Sequence, residues 1–273
     1  MPSTVIEIFT PMRVLGETLA DVLGIVALCS IRLYAAFAIL PATGEQFMTG
    51  LIRGGFVIII GIYIALGMPL IHAETFTLSQ WLVLIAKEGL IGLILGFCAS
   101  TIFWIAECVG ALIDTQTGYN NAQLSNPMTG QQSTPISGLL LQMITAVYFS
   151  LGGMIIFIQI LFESFKIWPL MAALPSLAGV AEVFFVQEAD GIMSSVVKFA
   201  APVLLILVLV DLGLGLITRS ADKLEPNSLS QPIKGALTML LLALLVGIFV
   251  DQIRRFLIPI DLMLRLRSLF PVG

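Results

Sequence analysis

GALIDTQTGYNNAQLSNPMTGQQSTP, residues 110–135, is the longest polar stretch in a chain that is otherwise mostly apolar. It carries one acid, Asp114, a run of Asn and Gln amides, and no Lys or Arg. The uncharged runs Gly89–Ala106 and Ile136–Phe162 flank it. Each approaches or exceeds the ~20 residues with which a helix crosses a hydrocarbon core. Gly118, Pro127 and Gly130 deny the stretch a continuous helix. Irregular backbone at membrane depth is tolerated only where protein buries it or water bathes it. The stretch is therefore either an ordinary surface loop or an uncharged, hydrogen-bonding constriction, and composition leaves both open.

Outward from this stretch the chain is a membrane protein. Of its 273 residues 58% are hydrophobic and 11% charged, with a mean hydropathy of +1.05, whereas a soluble domain carries about a quarter charged residues. Gly54–Ile71 and Gly235–Val250 are further uncharged runs, and Val22–Leu40 and Phe199–Thr218 join them if one internal charge each is accepted. The pattern predicts an all-α integral membrane protein with six apolar helical segments, about 20–40, 53–72, 80–113, 136–166, 192–219 and 234–258. They form a single membrane domain over residues 1–273, with no internal repeat. Pro169 and Pro175 break regular helix in the mixed segment near 167–191, where Trp168 suits a membrane interface. The N-terminal residues have Glu7, Glu17 and Asp21 against Arg13, unlike a signal peptide, so the first apolar segment is expected to be retained. Alternating sides through six spans puts Arg53, Arg219, Lys223 and Lys234 on one side. Arg13, Lys87, Lys166, Arg254, Arg255, Arg265 and Arg267 fall on the other, and the basic tail 254–273 is the best cytoplasmic marker.

Several classes of chemistry are disfavoured. His72 is the only histidine, which excludes H-E-x-x-H, and there is no G-x-S-x-G or P-loop. Cys29, Cys98 and Cys108 have no ligand-like spacing and read as small buried hydrophobes. A net charge of −4 with scattered basic residues leaves no footprint for nucleic acid. Asp114 and Asp211 lack the Gly-x-Gly-Asp context of an intramembrane aspartyl protease. No enzyme, cofactor or metal is expected. Arg32, Glu88, Glu107, Asp114, Lys198 and Asp211 lie in apolar segments, where each ionisable group needs a partner or an aqueous lining. Glu107 and Asp114, seven apart, would share a helix face and a polar surface. Asp114 would stand at the unfavourable C-terminal end of its helix, which predicts a cation beside it, on this chain or a partner chain. Gly92 and Gly96, with Gly110 later in the same helix, allow another backbone to approach closely.

The run FTLSQWLVLIAKEGLIGLILGF (76–97), then FWIAECVGALIDTQTG (103–118), SNP (125–127), STPISGLLLQ (133–142) and SFKIWP (164–169) resembles the FliR/SctT/SpaR family. These are export-apparatus membrane subunits of flagellar and virulence-associated type III secretion systems. SIRLYAAFAILP (30–41), DLGLGLITRSA (211–221) and QPIKG (231–235) extend the resemblance over nearly the whole chain, which departs from the pattern at Asp222, Glu225 and Asn227. The Asp-x-Gln-x-Gly form at 114–118 and the Trp-Pro after Ser-Phe look closer to injectisome members than to flagellar ones.

The resemblance implies helices arranged as hairpins in a pseudo-helical hetero-oligomeric gate. FliP/SctR-like and FliQ/SctS-like subunits, with an FlhB/SctU-like switch protein, would be the partners in the bacterial inner membrane, and secreted unfolded proteins the cargo. It also implies that residues 110–135 plug the channel. Asp114, Gln116, Asn120, Asn121, Gln123, Asn126 and Gln131 would supply hydrogen bonds, and Gly118, Pro127 and Gly130 the shape. Gly92, Gly96 and Gly110 would permit close helix packing, and Arg32, Glu88, Glu107, Lys198 and Asp211 would be buried charges. The alternative is a secondary transporter moving a small solute by way of Asp211, Glu107 or Lys198, against which stands the missing internal repeat.

Overall fold

A computed structural model describes residues 3–69, 76–119, 124–125, 132–172, 177–220 and 226–256. The protein is an all-α, multi-pass membrane protein. Its helices are α1 (Ser3–Ile39), α2 (Gly50–Leu66), α3 (Leu78–Thr117), α4 (Pro135–Ser150), α5 (Gly153–Ile167), α6 (Leu177–Ser220) and α7 (Pro226–Phe256). A 3-10 turn, Pro41–Thr43, follows α1, and two-residue strands β1 (Leu124–Ser125) and β2 (Gln132–Ser133) lie between α3 and α4. Among the described residues four helical stretches are long and apolar enough to cross a membrane: Thr18–Ile39, Leu78–Thr117, Glu188–Ile217 and Ser230–Asp251.

All six expected segments differ in extent from the helices observed: α1 starts at Ser3 instead of near 20, α2 ends at Leu66 instead of near 72, and α7 starts at Pro226 instead of near 234. The segment 136–166 is not one helix: α4 and α5 meet at a 69° bend. Gly152 sits there at φ +76, a conformation open to glycine without steric cost, and its N–H bonds back to Phe149 O. Gly153 completes the break, since a Cβ there would stand 2.5 Å from the Tyr148 ring. α3 runs four residues past 113 to Thr117, and α6 starts at Leu177 instead of near 192. Pro175, expected to break that region, lies outside the described residues.

The chain divides into two compact units, residues 1–100 with 159–175 and residues 101–158 with 176–273. In the first, small residues set the helix spacing. A Cβ on Gly96 would lie 2.6 Å from Ala36 O, and one on Gly92 would overlap Arg32 O and come within 2.9 Å of Ala35 Cβ. The α1 backbone thus lies directly on α3, and Ser100 Oγ donates to Ile39 O at 3.2 Å. Leu28, Leu33, Phe37 and Leu95 pack the core around this contact.

Arg32 is fully buried there. Its Nε donates to Glu88 Oε2 at 2.6 Å, Nη1 to Ser164 Oγ at 3.1 Å and Nη2 to Trp168 O at 3.0 Å, while Phe165 lies 3.9 Å beneath the guanidinium. Lys87 donates to the carbonyls of Pro169, Leu170 and Ala172 at 3.2, 2.6 and 3.1 Å and lies 3.1 Å from Glu88 Oε1. Two cations and one carboxylate therefore hold the end of α5 and the turn after it. A buried ion pair is weak evidence of net stability, but losing one partner strands the other charge.

In the second unit α6 packs on α7, with Phe199 and Phe249 stacked at 5.1 Å, and Phe103 of α3 meets Tyr148 of α4 edge-on at 5.2 Å.

Glu88→Gln or Arg32→Met alone is expected to lower stability by about 3–5 kcal/mol, and the double replacement Arg32→Met with Glu88→Leu by less than the sum. Thermal unfolding of the detergent-solubilised protein reads both. An additive double variant would contradict the pairing.

Candidate functional site

The site forms where the polar stretch leaves α3 and re-enters the helices at α4. Gly118 ends α3 at φ +84, with its N–H on Thr115 O at 3.4 Å. Thr117 Oγ donates back to Ile113 O at 3.0 Å and Asp114 O at 3.1 Å, which holds the last turn. At the other end Pro135 opens α4, a position where its missing N–H costs nothing. The residue before it, Thr134, makes no side-chain cap. That role falls to Asp114, from a different helix. The Ile136 N–H approaches both carboxylate oxygens at 3.0 and 3.2 Å, and the Ser137 N–H donates to Oδ2 at 2.9 Å.

Asp114 is 0% exposed. Its carboxylate answers the positive end of the α4 dipole through charge-assisted hydrogen bonds. Within this chain two backbone amides stand where a cation was expected. Their approach is made possible by Gly110, where a Cβ would overlap Ser137 Cα and lie 2.7 Å from Ser137 N. Ser137 Oγ then donates to Glu107 O at 3.1 Å. Residues 107, 110 and 114, one face of α3, thus meet the first turn of α4.

A second set of contacts joins the end of α3 to α6 and α7. Gln116 Nε2 donates to Asp211 Oδ2 at 3.1 Å, Lys234 pairs with Asp211 Oδ1, and Lys234 Nζ donates to Gln116 O at 3.0 Å. Within the stretch the strand pairs are Leu124 with Ser133 and Ser125 with Gln132. The candidate gate residues Asn120, Asn121, Gln123, Asn126, Pro127, Gly130 and Gln131 lie outside the described residues.

Three readings of charge and burial need correction. Glu107 and Lys198 are exposed on this chain, so they are not buried charges; only the Glu107 carbonyl faces α4, and its side chain shares no polar surface with Asp114. Asp211 is half-buried and ion-paired, and Cys108 is exposed whereas Cys29 and Cys98 are buried. Arg32 and Glu88 are buried together. Sequence reasoning missed Ser137 and Lys234 as site residues. The usable signal for Lys234 is one cation two turns inside α7, ahead of an uncharged run.

Chemically, the arrangement is an anchor. Among the described residues no group of three His, Cys, Asp or Glu could hold a metal ion. Both ends of a polar segment are tied at one base, and residues 115–134 carry no charged side chain.

Comparison with known proteins gives a consistent neighbourhood. The family model for bacterial export proteins, family 1, matches residues 23–258. The Yop proteins translocation protein T of Yersinia pestis is 35% identical over 217 residues, covering 78% of this chain and 82% of that protein. The secretion system apparatus protein SsaT of Salmonella typhimurium is 32% identical over 182 residues, 64% of this chain and 69% of its own length. The flagellar biosynthetic protein FliR of Bacillus subtilis is 25% identical over 262 residues, 94% of this chain and 100% of FliR.

Asp114→Ala leaves two amides at the start of α4 without acceptors, a loss of about 2–3 kcal/mol for hydrogen bonds to a charged group. Hydrogen exchange at Ile136 and Ser137 should accelerate by about tenfold or more, with little change at Leu28 and Leu33. Unchanged protection at Ile136 and Ser137 would remove the anchor role of Asp114.

Proposed function

The chain belongs to the bacterial export proteins, family 1, and from that premise we propose that it is a subunit of a type III secretion export channel whose polar stretch, residues 110–135, plugs the conduit. The family ties the chain to protein export, and the relatives named for Yop translocation and for a secretion system favour the injectisome form. In this reading the chain is non-enzymatic and lies in the bacterial inner membrane as one membrane domain with a cytoplasmic basic tail, 254–273. It assembles with FliP/SctR-like and FliQ/SctS-like subunits, beside an FlhB/SctU-like switch protein. Unfolded proteins pass through, driven from outside this subunit.

The observation that carries the plug reading is the closed base: Asp114 ties the start of α4 to the end of α3, so the polar segment leaves and re-enters the helices at one place. Its content suits a gate. Amide hydrogen bonds that exchange with water are worth about 0.5–1.5 kcal/mol net each, so an incoming chain can displace them one by one. With no fixed charge between Thr115 and Thr134, nothing there would retain a passing acidic or basic segment. The sole acid of the stretch is already engaged with backbone. Asn120, Asn121, Gln123, Asn126 and Gln131 are the proposed closing contacts, with Gly118, Pro127 and Gly130 shaping the turn. A small-solute transporter would work by way of Asp211, Glu107 or Lys198, yet Asp211 is bound to Lys234 and the other two are exposed on this chain.

Deleting Asn120–Gln131 while keeping both roots should make the assembled complex conduct ions in planar bilayers without substrate. A variant complex as tight as the wild type would end the plug reading.

A further inference from the structure

We infer that Arg53, in the first turn of α2, is the contact for the phosphate of an anionic phospholipid at the bend between α1 and α2. This is independent of the plug reading above. Arg53 is a charge without a counter-charge. Arg32, Lys87, Lys166 and Lys234 each lie against a carboxylate, whereas among the described residues no carboxylate pairs with Arg53. Glu45, the acid nearest to it in sequence, is exposed. Arg53 itself is half-buried, and its Nε is buried with no acceptor. The guanidinium lies 5.5 Å over the ring of Tyr34, which is 47% exposed. That contact holds the group in place but leaves its N–H donors unanswered. A cation in an apolar helix needs a partner, and this one lacks it within the chain.

The start of α2 offers further donors and room beside them. Thr49 provides no side-chain cap, and Arg53 N donates to Thr49 O at 3.0 Å. The N–H groups of Gly50, Leu51 and Ile52 therefore have no partner within the helix. Helical side chains lean toward the N-terminus, which brings the Arg53 stem over that turn. At Gly50, Gly54 and Gly55 nothing lies within 4 Å of where a Cβ would stand, so the backbone before and after Arg53 is open to a ligand.

A phosphate answers this set of donors. Its oxygens take the guanidinium fork through charge-assisted bonds and accept from open amides at a helix start. The lipid follows from what adjoins the turn. Leu51 is 90% exposed, and Ile52, Ile58, Ile59, Ile62 and Leu66 continue an exposed apolar face along α2. A carboxylate on a partner chain would match the guanidinium alone, whereas a phosphate carrying acyl chains matches both the cation and the apolar face beside it. With no acid paired to Arg53, a headgroup of net negative charge is favoured over a zwitterionic one.

The test titrates the detergent-solubilised full-length chain with phosphatidylglycerol or phosphatidylcholine and counts retained lipid by native mass spectrometry. Wild type should prefer phosphatidylglycerol. Arg53→Met should weaken that lipid by about fivefold, the effect of one basic residue at an anionic surface, and bring it down to the level of phosphatidylcholine. Leu51→Asp, at an exposed position where an acid suits the helix start, should weaken it as much by putting a carboxylate in the phosphate's place. It decides the question if Arg53→Met does not fold. Inorganic phosphate at equal concentration should not compete, and competition would overturn the lipid in favour of the bare anion. The same titration on the assembled complex tests the protein alternative. No phosphatidylglycerol preference there, with a neighbouring subunit lost on Arg53→Met, would put a partner's carboxylate on Arg53 and overturn the lipid. Equal retention of phosphatidylglycerol by the wild type and both variants overturns the site.

Discussion

The Asp114 carboxylate, seated on the Ile136 and Ser137 amides, is the contact on which the polar stretch depends. A buried acid in a membrane protein needs hydrogen bonds wherever it can find them, and the first amides of a helix are open donors. That one choice explains several local facts together. It keeps α3 helical to Thr117, it gives α4 a start without help from Thr134, and it requires glycine at 110 because the two backbones must nearly touch. The two ends of the polar segment are consequently held together at one base.

The same logic recurs at other helix ends. In the unit holding α1 and α2, Arg32 and Lys87 direct their donors at the carbonyls of residues 168–172, where α5 ends. In the other unit Lys234 serves the carbonyl of Gln116 at the end of α3. Cations meet C-termini and the anion meets an N-terminus, as the helix dipole favours. Each of these charges is donated by a helix other than the one it caps. They therefore fix how helices end against one another, which apolar packing between uniform surfaces cannot specify.

Much of the fold was legible in the sequence, because uncharged runs of spanning length have few other uses and Arg32 and Glu88 stood out as ionisable residues inside them. The bend at Gly152 was harder to see: LGG inside an apolar run reads as helix until the positive φ of Gly152 and the crowding of Gly153 by Tyr148 are known. At the site, Asp114 was visible as an isolated acid, but its partner was not. Backbone amides leave no mark in composition, so a cation was the natural expectation. Glu107 and Lys198 were misjudged for a related reason. Periodicity places a residue on a face, and which face a neighbouring helix covers is decided by tertiary packing. Lys234 looked like a loop charge because it stands near the start of an apolar run, although its helix begins eight residues earlier, at Pro226.

Gly110 has a consequence for how such a chain can change over evolutionary time. With the two roots held at backbone contact, the number of residues between them enters the fold only through the entropy of closing a loop. That entropy grows slowly, by about 0.6 kcal/mol for each doubling of length. Insertions, deletions and rewritten amide patterns between Gly118 and Thr134 therefore leave the helices undisturbed. The polar segment can thus be rewritten on its own, while position 110 stays closed to every side chain.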